Sequence, residues 1–213
     1  MSVDAEKGVS MANPSGRADA VRNRQKILAA ARESFAERGL DVPLDAIAKR
    51  AEVGAGTLYR HFPDRDALLA EVLAAELGDL AQTYAGLQRA DMGADERLER
   101  WWGALLRYMT SYEGLPQPLR AALDRQSSPL SLRCEVIIGW TDDLVEAAKA
   151  QGVVKGFVTG RDFYRATLGA AWVAAAAGPG ANSSAESMRR INREGWRAPE
   201  VPEPASPALH KRS

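Results

Sequence analysis

The residues of this chain best suited to recognition chemistry lie together in the short stretch Gly56–Phe62, of sequence GTLYRHF. On a helix of about 3.6 residues per turn, Leu58 and Phe62 share one side, which predicts that both are buried. The opposite side then carries Gly56, Thr57 and Arg60, and the two flanks carry Tyr59 and His61. A helix in the major groove of DNA needs small or hydrogen-bonding groups towards the base edges and longer polar side chains towards the phosphates. The alternative is an ordinary amphipathic surface helix, but we favour a helix that recognises DNA in the major groove.

Two further helices are predicted to hold this stretch in place. The first spans about Ala18–Arg38, where one stripe recurs at three- and four-residue steps. That stripe consists of Val21, Arg24, Ile27, Leu28, Ala31 and Phe35. Pro43 opens the second helix, and Glu52–Gly54 forms the turn into the third. Because the ring of Pro63 disfavours helical geometry at the residue before it, the third helix ends there. The pattern predicts a helix–turn–helix motif over about 43–62.

The remainder of the chain also has the periodicity of helices. Asp64 is the predicted N-cap of one long helix from Arg65 to about Gln88, and the free N–H groups at its start are a candidate phosphate site. Further helices are predicted at about Asp95–Tyr112, in a short segment ending near Arg125, and at Ser128–Ala150, Asp162–Ala177 and 181–196. Thr159 and Asp162 have the spacing of a capping box, with Asp in place of Glu.

The chain is therefore predicted to be all-α. A three-helix, helix–turn–helix DNA-binding domain is joined by a long helix to an all-helical domain for ligand binding and dimerisation. The predicted boundaries are a disordered tail over 1–16, the DNA-binding domain over 17–64, the C-terminal domain over 65–196 and a Pro-rich disordered tail over 197–213. The tails are assigned on their polar, Gly- and Pro-bearing composition.

Composition excludes several classes of protein. The 213 residues carry 28 basic and 28 acidic side chains, so a globally basic DNA-coating protein is excluded and any DNA contact must be local. Cys134 is the only cysteine, which rules out an internal disulfide. His61 and His210 are far apart, and we expect no metal site and no cofactor. The N-terminus lacks the apolar core of a signal peptide and no apolar run could span a bilayer, so we expect a cytoplasmic protein without membrane contact.

The segment IAKRAEVGAGTLYRHFPDRDAL resembles the TetR family of bacterial transcriptional regulators, and the likeness covers about fifty residues from the first helix to Leu69. The resemblance implies a homodimer that binds a palindromic operator in double-stranded DNA, with a C-terminal domain that responds to a small-molecule effector. It also implies that Thr57, Tyr59 and His61 contact DNA, and that Arg65 takes the place of the usual phosphate-binding lysine.

Three residues depart from the family's pattern. Glu52 stands where a turn glycine is usual, which costs up to ~1 kcal/mol if this residue adopts a left-handed conformation. Gly54 replaces a serine N-cap, a loss of a few tenths of a kcal/mol. Ala55 replaces a common lysine and removes one possible contact with DNA. These changes concern the affinity and the sequence preference of the motif.

The C-terminal half contains two features that each allow two interpretations. Aromatic and sulfur-containing side chains concentrate there: Trp101, Trp102, Tyr108, Met109, Tyr112, Cys134, Trp140 and Phe163. They form either a hydrophobic core, which such stripes more often do, or a pocket for a small hydrophobic ligand. The small residues of the AAWVAAAAG segment suit either a helix–helix dimer interface or an Ala-rich core helix.

We therefore predict a sequence-specific DNA-binding regulator, a dimeric repressor that a small hydrophobic ligand releases from its operator. One alternative is a helix–turn–helix used for protein–protein contacts. The other is an enzyme in the C-terminal half, which is disfavoured because no histidine lies between His61 and His210 and no GxSxG motif or P-loop is present.

Overall fold

The computed structural model of the chain describes residues 14–125, 127–176 and 181–199. This part of the chain is all-α, as predicted, and its helices are α1 Pro14–Arg38, α2 Leu44–Arg50, α3 Ala55–His61, α4 Arg65–Val72, α5 Ala74–Arg89, α6 Ala94–Met109, α7 Pro116–Asp124, α8 Pro129–Ala150, α9 Gly160–Ala176 and α10 Ala181–Trp196. Among these helices, none is both long enough and apolar enough to cross a membrane.

The first three helices pack around one apolar cluster. Ile27 and Phe35 of α1 meet Ile47 of α2 and Leu58 of α3, and all four side chains are buried. The two positions predicted to be the inner side of α3, Leu58 and Phe62, are both buried. Helix α1 begins at Pro14, so the end of the predicted disordered tail belongs to a helix, while residues 1–13 lie outside the described part.

The predicted long helix over Arg65–Gln88 is two consecutive helices, α4 and α5, which meet at Leu73. Leu73 has ψ near 5°, which interrupts the helical geometry for one residue. The hydrogen bonds from the Leu73 N–H to the Leu69 carbonyl and from the Leu77 N–H to the Leu73 carbonyl are kept, both at 2.9 Å. Because Leu73 is completely buried, packing rather than solvent determines this bend.

Side-chain caps begin two of the C-terminal helices, and the one at α9 was predicted from the sequence. The Ser128 hydroxyl accepts a hydrogen bond from the Ser131 N–H at the start of α8. At α9, the Asp162 carboxylate accepts from the Thr159 N–H, and the Asp162 N–H donates to the Thr159 hydroxyl, as a capping box requires. The helix predicted over 181–196 is α10.

The end of the described chain is bound to the loop before α9. Predicted as the start of a disordered tail, Arg197 forms an isolated antiparallel bridge with Val154, and the Ala198 N–H donates to the Val153 carbonyl. Residues 200–213 lie outside the described part.

Close approach of α8 and α9 depends on Gly160. A Cβ at this position would lie 2.7 Å from the Cα of Asp142 and 2.6 Å from one of its carboxylate oxygens. Backbone atoms cannot move away as a flexible side chain would, so any side chain here forces the two helices apart.

We predict that Gly160→Ala lowers the free energy of unfolding by about 1–3 kcal/mol, the usual cost of overpacking, measured by urea denaturation at a fixed protein concentration. The matched control is Gly139→Ala on the exposed face of α8, where a Cβ meets nothing within 4 Å. The control should be neutral or up to ~1 kcal/mol more stable, because alanine favours helix over glycine. Equal effects of the two substitutions would refute the role of Gly160 in the packing of α8 and α9.

Candidate nucleic-acid interface

Helix α3 presents most of the predicted recognition side chains to solvent, but Thr57, predicted to lie opposite the buried side, is half-buried. Gly56, Tyr59 and Arg60 are exposed, whereas Thr57 and His61 are half-buried beside the inner side of the helix. Tyr59 keeps 46% of its surface accessible. The exposed side of α3 thus offers a small residue, a phenol and a guanidinium in a row that fits a major groove.

The turn between α2 and α3 contains strain at the position where a glycine is usual. Glu52 has φ of 55°, in the left-handed region. Its N–H donates to the Lys49 carbonyl and the Val53 N–H donates to the Ala48 carbonyl, which together form a Schellman motif. The condition under which we expected a cost at Glu52 is therefore met. At the start of α3, Gly54 makes no side-chain cap.

Two arginines near α3 make hydrogen bonds within the protein. The guanidinium of Arg65 donates to the Leu40 carbonyl and, at 2.7 Å, to the Val42 carbonyl, and so fastens the loop before α2. These hydrogen bonds already hold the Arg65 side chain, for which the family resemblance implies a phosphate contact. Arg50 donates to both carboxylate oxygens of Glu37 at 2.6 and 2.7 Å and thereby ties α2 to α1.

Other cations of the motif keep their charge available. Within the described ranges, neither Lys49 nor Arg60 has an ion-pair partner, and both are exposed. Lys49 lies in the last turn of α2 and Arg60 in the last turn of α3. These two side chains are the motif's most accessible positive charges for a phosphate or a guanine.

The start of α4 is less suited to a phosphate than the sequence indicated. Asp64 caps the helix by accepting from the Ala67 N–H at 2.8 Å, so one of the free N–H groups already has an anionic partner. Asp66 adds a second carboxylate in the first turn, where it pairs with Arg125 of the segment after α7. A phosphate placed here would meet two negative charges.

Arg24 of α1 makes contacts beside the motif that the sequence did not predict. Its guanidinium lies 5.2 Å from the centre of the Phe62 ring and donates to Glu71 of α4 at 2.6 Å. The signal was present, because Arg24 is a charged residue within the otherwise apolar stripe of α1. Its partner on α4 cannot be inferred from helical periodicity.

The predicted ligand-binding residues are mostly core. Buried side chains account for six of them: Trp101, Trp102, Tyr108, Met109, Cys134 and Phe163. The Trp101 indole donates to the buried Thr141 hydroxyl at 3.0 Å. Burial raises the pKa of the Cys134 thiol, which accepts from the Tyr164 hydroxyl at 3.4 Å, so the thiol is unreactive.

The remaining two, Tyr112 and Trp140, are partly exposed, and each contacts a side chain of α5. Tyr112 donates to Glu76 at 2.9 Å, and burial together with this carboxylate raises the pKa of Tyr112 to about 12. Trp140 stacks on Tyr84 with the ring centres 5.5 Å apart. Of the eight residues, Tyr108 borders a cavity of about 180 Å³ between α5 and α6.

A short exposed helix that follows a helix and a tight turn, on a helical support, defines a helix–turn–helix DNA-binding protein. Comparison with known proteins narrows this class. The family model for bacterial regulatory proteins of the tetR family matches residues 27–72, and the model for the SbtR-like transcriptional regulator C-terminal domain matches residues 93–198.

Similar proteins agree with both matches. The TetR transcriptional regulator SCO0520 from Streptomyces coelicolor is 33% identical, with a TM-score of 0.54, over 83% of this chain and 99% of that one. A TetR-family regulator from Pectobacterium atrosepticum has the same fold at 23% identity, with a TM-score of 0.57 over 84% of this chain and 94% of that one. The HTH-type transcriptional regulator SAB2452 of Staphylococcus aureus is 42% identical over 62 residues, which are 29% of this chain and 34% of the relative. The chain thus spans about a third of the length of the curated relatives it matches.

The chain belongs to the TetR family of bacterial transcriptional regulators, which are DNA-binding proteins and not enzymes.

We predict that Glu52→Gly raises the free energy of unfolding by up to ~1 kcal/mol, because glycine adopts the left-handed conformation without strain. Thermal unfolding should show this as a midpoint about 2–4 °C higher. Glu52→Ala is the control, since it removes the charge and keeps the strained conformation. If alanine stabilises the protein as much as glycine does, the effect arises from charge and the conformational explanation is wrong.

Proposed function

We propose that the protein is a dimeric transcriptional repressor that binds a palindromic operator and is released from it by a small hydrophobic ligand, in the cytoplasm. The observation that carries the proposal is the exposed side of α3, where Gly56, Tyr59 and Arg60 stand clear of the protein while Leu58 and Phe62 are buried. A short helix with this division between its two sides can enter a major groove without losing its packing.

The side chains of α3 divide the work of recognition. Arg60 faces the base edges, and the half-buried Thr57 reaches them from the margin of the exposed side. These two residues determine which sequences are preferred, and an arginine is well suited to the two acceptors of guanine. Tyr59 and His61 lie towards the groove walls and contact phosphates, which sets the register on any sequence. Gly56 allows the helix backbone to approach the DNA closely, because a Cβ there would meet nothing within the protein.

A dimer is supported by the outer face of α9. The Ala-rich segment is divided between two environments, since Ala170 and Ala171 are buried whereas Trp172 and Val173 are exposed. Trp172 borders an open groove of about 690 Å³ between α7 and α9. A half-exposed tryptophan beside small residues suits the face of a second copy, which would bury it on association. The helix–turn–helix domains of the two protomers then match the two-fold symmetry of a palindrome.

The effector site lies outside most of the aromatic set, because those side chains are packed core. Space is available instead in two adjoining cavities along α5 and α6, of about 440 and 180 Å³, which share Thr83 and Arg107. Together they approach the size of a small-molecule site. Leu80 and Leu87 provide apolar lining, and Tyr108 connects this groove to the aromatic core.

We predict that the purified protein binds DNA from the region upstream of its own gene, with an affinity that falls as salt rises. Tyr59→Ala and His61→Ala should weaken binding to every sequence, whereas Thr57→Ala and Arg60→Ala should change the preferred bases by about 1–3 kcal/mol each. Fluorescence anisotropy against a randomised operator set measures both. Arg100→Ala, an exposed arginine on α6 paired with Glu96, is the control and should have no effect. A protein that retains no DNA at low salt would contradict the proposal and favour a helix–turn–helix used for protein contacts.

We further predict that Gly169→Glu converts a dimer into monomers. A side chain at this exposed position of α9 meets nothing within 4 Å inside the protein, so the fold tolerates it while a partner helix does not. Sedimentation equilibrium measures the mass. Gly78→Glu on α5 is the matched control, because Gly78 is exposed with equally open surroundings and lies on a helix away from the proposed interface. If both variants stay dimeric, the interface is not on this face of α9.

A further inference from the structure

Glu71 of α4 joins two arginines that are far apart in the sequence. Its Oε2 accepts from Arg24 of α1 at 2.6 Å, and its Oε1 accepts from Arg133 of α8 at 2.9 Å. Each arginine therefore has a carboxylate oxygen of its own, and the two cations do not compete. We name these three residues the Glu71 bridge. It links the helix–turn–helix domain to the C-terminal domain.

The bridge is partly shielded from solvent. The side chains of Arg24, Glu71 and Arg133 keep 41%, 35% and 23% of their surface accessible. The hydrogen bond from Arg24, and then the charges of both arginines, outweigh partial burial and lower the pKa of Glu71. A network with both oxygens engaged costs less side-chain entropy for each contact than two separate pairs, because one carboxylate orientation serves both.

Arg24 carries this contact to the recognition helix. Its guanidinium lies over the ring of Phe62 at 5.2 Å from the ring centre, a cation–π contact. Phe62 is the C-cap of α3, and its N–H donates to the Leu58 carbonyl at 2.8 Å. Because Phe62 is almost completely buried and ends the helix, whatever fixes its ring also fixes the direction in which α3 leaves the core.

We propose that the Glu71 bridge is the contact through which the C-terminal domain sets the orientation of α3, with Arg24 and Arg133 as positioning residues for DNA reading. The inference rests on the proposed function, because it assigns Arg133 a role in DNA binding although this residue belongs to α8. An α3 held in one orientation binds DNA without first being ordered, and this preorganisation strengthens binding. Loss of Arg133 releases Glu71 from the C-terminal domain and leaves Arg24 tethered to α4 alone.

The decisive variant is Arg133→Met, which keeps the length of the side chain and removes its charge. We expect it to weaken operator binding by about threefold to tenfold, well below the temperature of unfolding. The slope of log affinity against log salt should stay unchanged, because no phosphate contact is lost, whereas loss of one phosphate contact would reduce that slope by about one. Arg133→Lys, which retains the charge, should recover part of the affinity.

Two controls separate positioning from general destabilisation. Arg161→Met removes an ion pair between α9 and Glu135 of α8 that does not contact the helix–turn–helix domain. This variant should leave the affinity for DNA unchanged. In a Glu71→Gln background, adding Arg133→Met should cause no further loss, since the two arginines act through the same carboxylate.

Several results would overturn the inference. These are an unchanged affinity in Arg133→Met, a salt slope reduced by about one, or equal additional losses with and without Glu71. Failure of the proposed function is distinct, because then the unsubstituted protein itself would not bind DNA. A variant that unfolds at the assay temperature is recognised by its thermal midpoint. In that case the DNA affinity of Arg133→Lys, measured where this variant is fully folded, provides the comparison.

Discussion

Burial of α4 is the constraint on which the rest of the structure depends. Four of its residues and the one that follows the helix are buried, and Leu68, Leu69, Val72 and Leu73 have no accessible surface. The apolar clusters of the two predicted domains are therefore one continuous core, with α4 between α1 and α8. Since removal of apolar surface from water is the dominant favourable contribution to folding, α4 cannot shift without disturbing both sides.

The few polar side chains of α4 reinforce this central position. Arg65 holds the loop before α2, Asp66 pairs with Arg125, and Glu71 joins α1 to α8. Each of these side chains reaches a different part of the chain. The apolar residues of α4 thus contribute hydrophobic packing, which has no directional preference. Its charged residues form directional hydrogen bonds, which determine the angle at which the neighbouring elements meet.

Those features of the fold that depend on local sequence were predictable. Leu58 and Phe62 are buried because they are four residues apart on a helix, and the capping box of Thr159 and Asp162 forms between residues three apart. The bend at Leu73 was not predictable, because it arises from packing against residues distant in sequence. The same holds for Arg65, whose partners are backbone carbonyls about two dozen positions earlier and leave no trace in composition.

Within the candidate site, the sequence predicted the buried side of α3, but it could not show which basic side chains are free to contact DNA. An arginine looks alike in the sequence whether it faces a phosphate or a carboxylate. In the folded protein Arg24, Arg50 and Arg65 are held by internal acceptors, which leaves the exposed Lys49 and Arg60. The aromatic set allowed two interpretations for a related reason, because hydrophobic stripes mark a buried surface without distinguishing packed core from a cavity wall.

The weak local structure of α3 explains why its orientation can depend on distant residues. A seven-residue helix is too short to be stable alone, its N-cap is a glycine without a side chain, and the turn before it contains a strained glutamate. Its stability must come from tertiary contacts, chiefly Leu58 and Phe62 in the core. The direction of a helix that is stabilised mainly by tertiary contacts is determined by those contacts. Contacts that reach Phe62 through Arg24 therefore have more influence on α3 than they would on a long, well-capped helix.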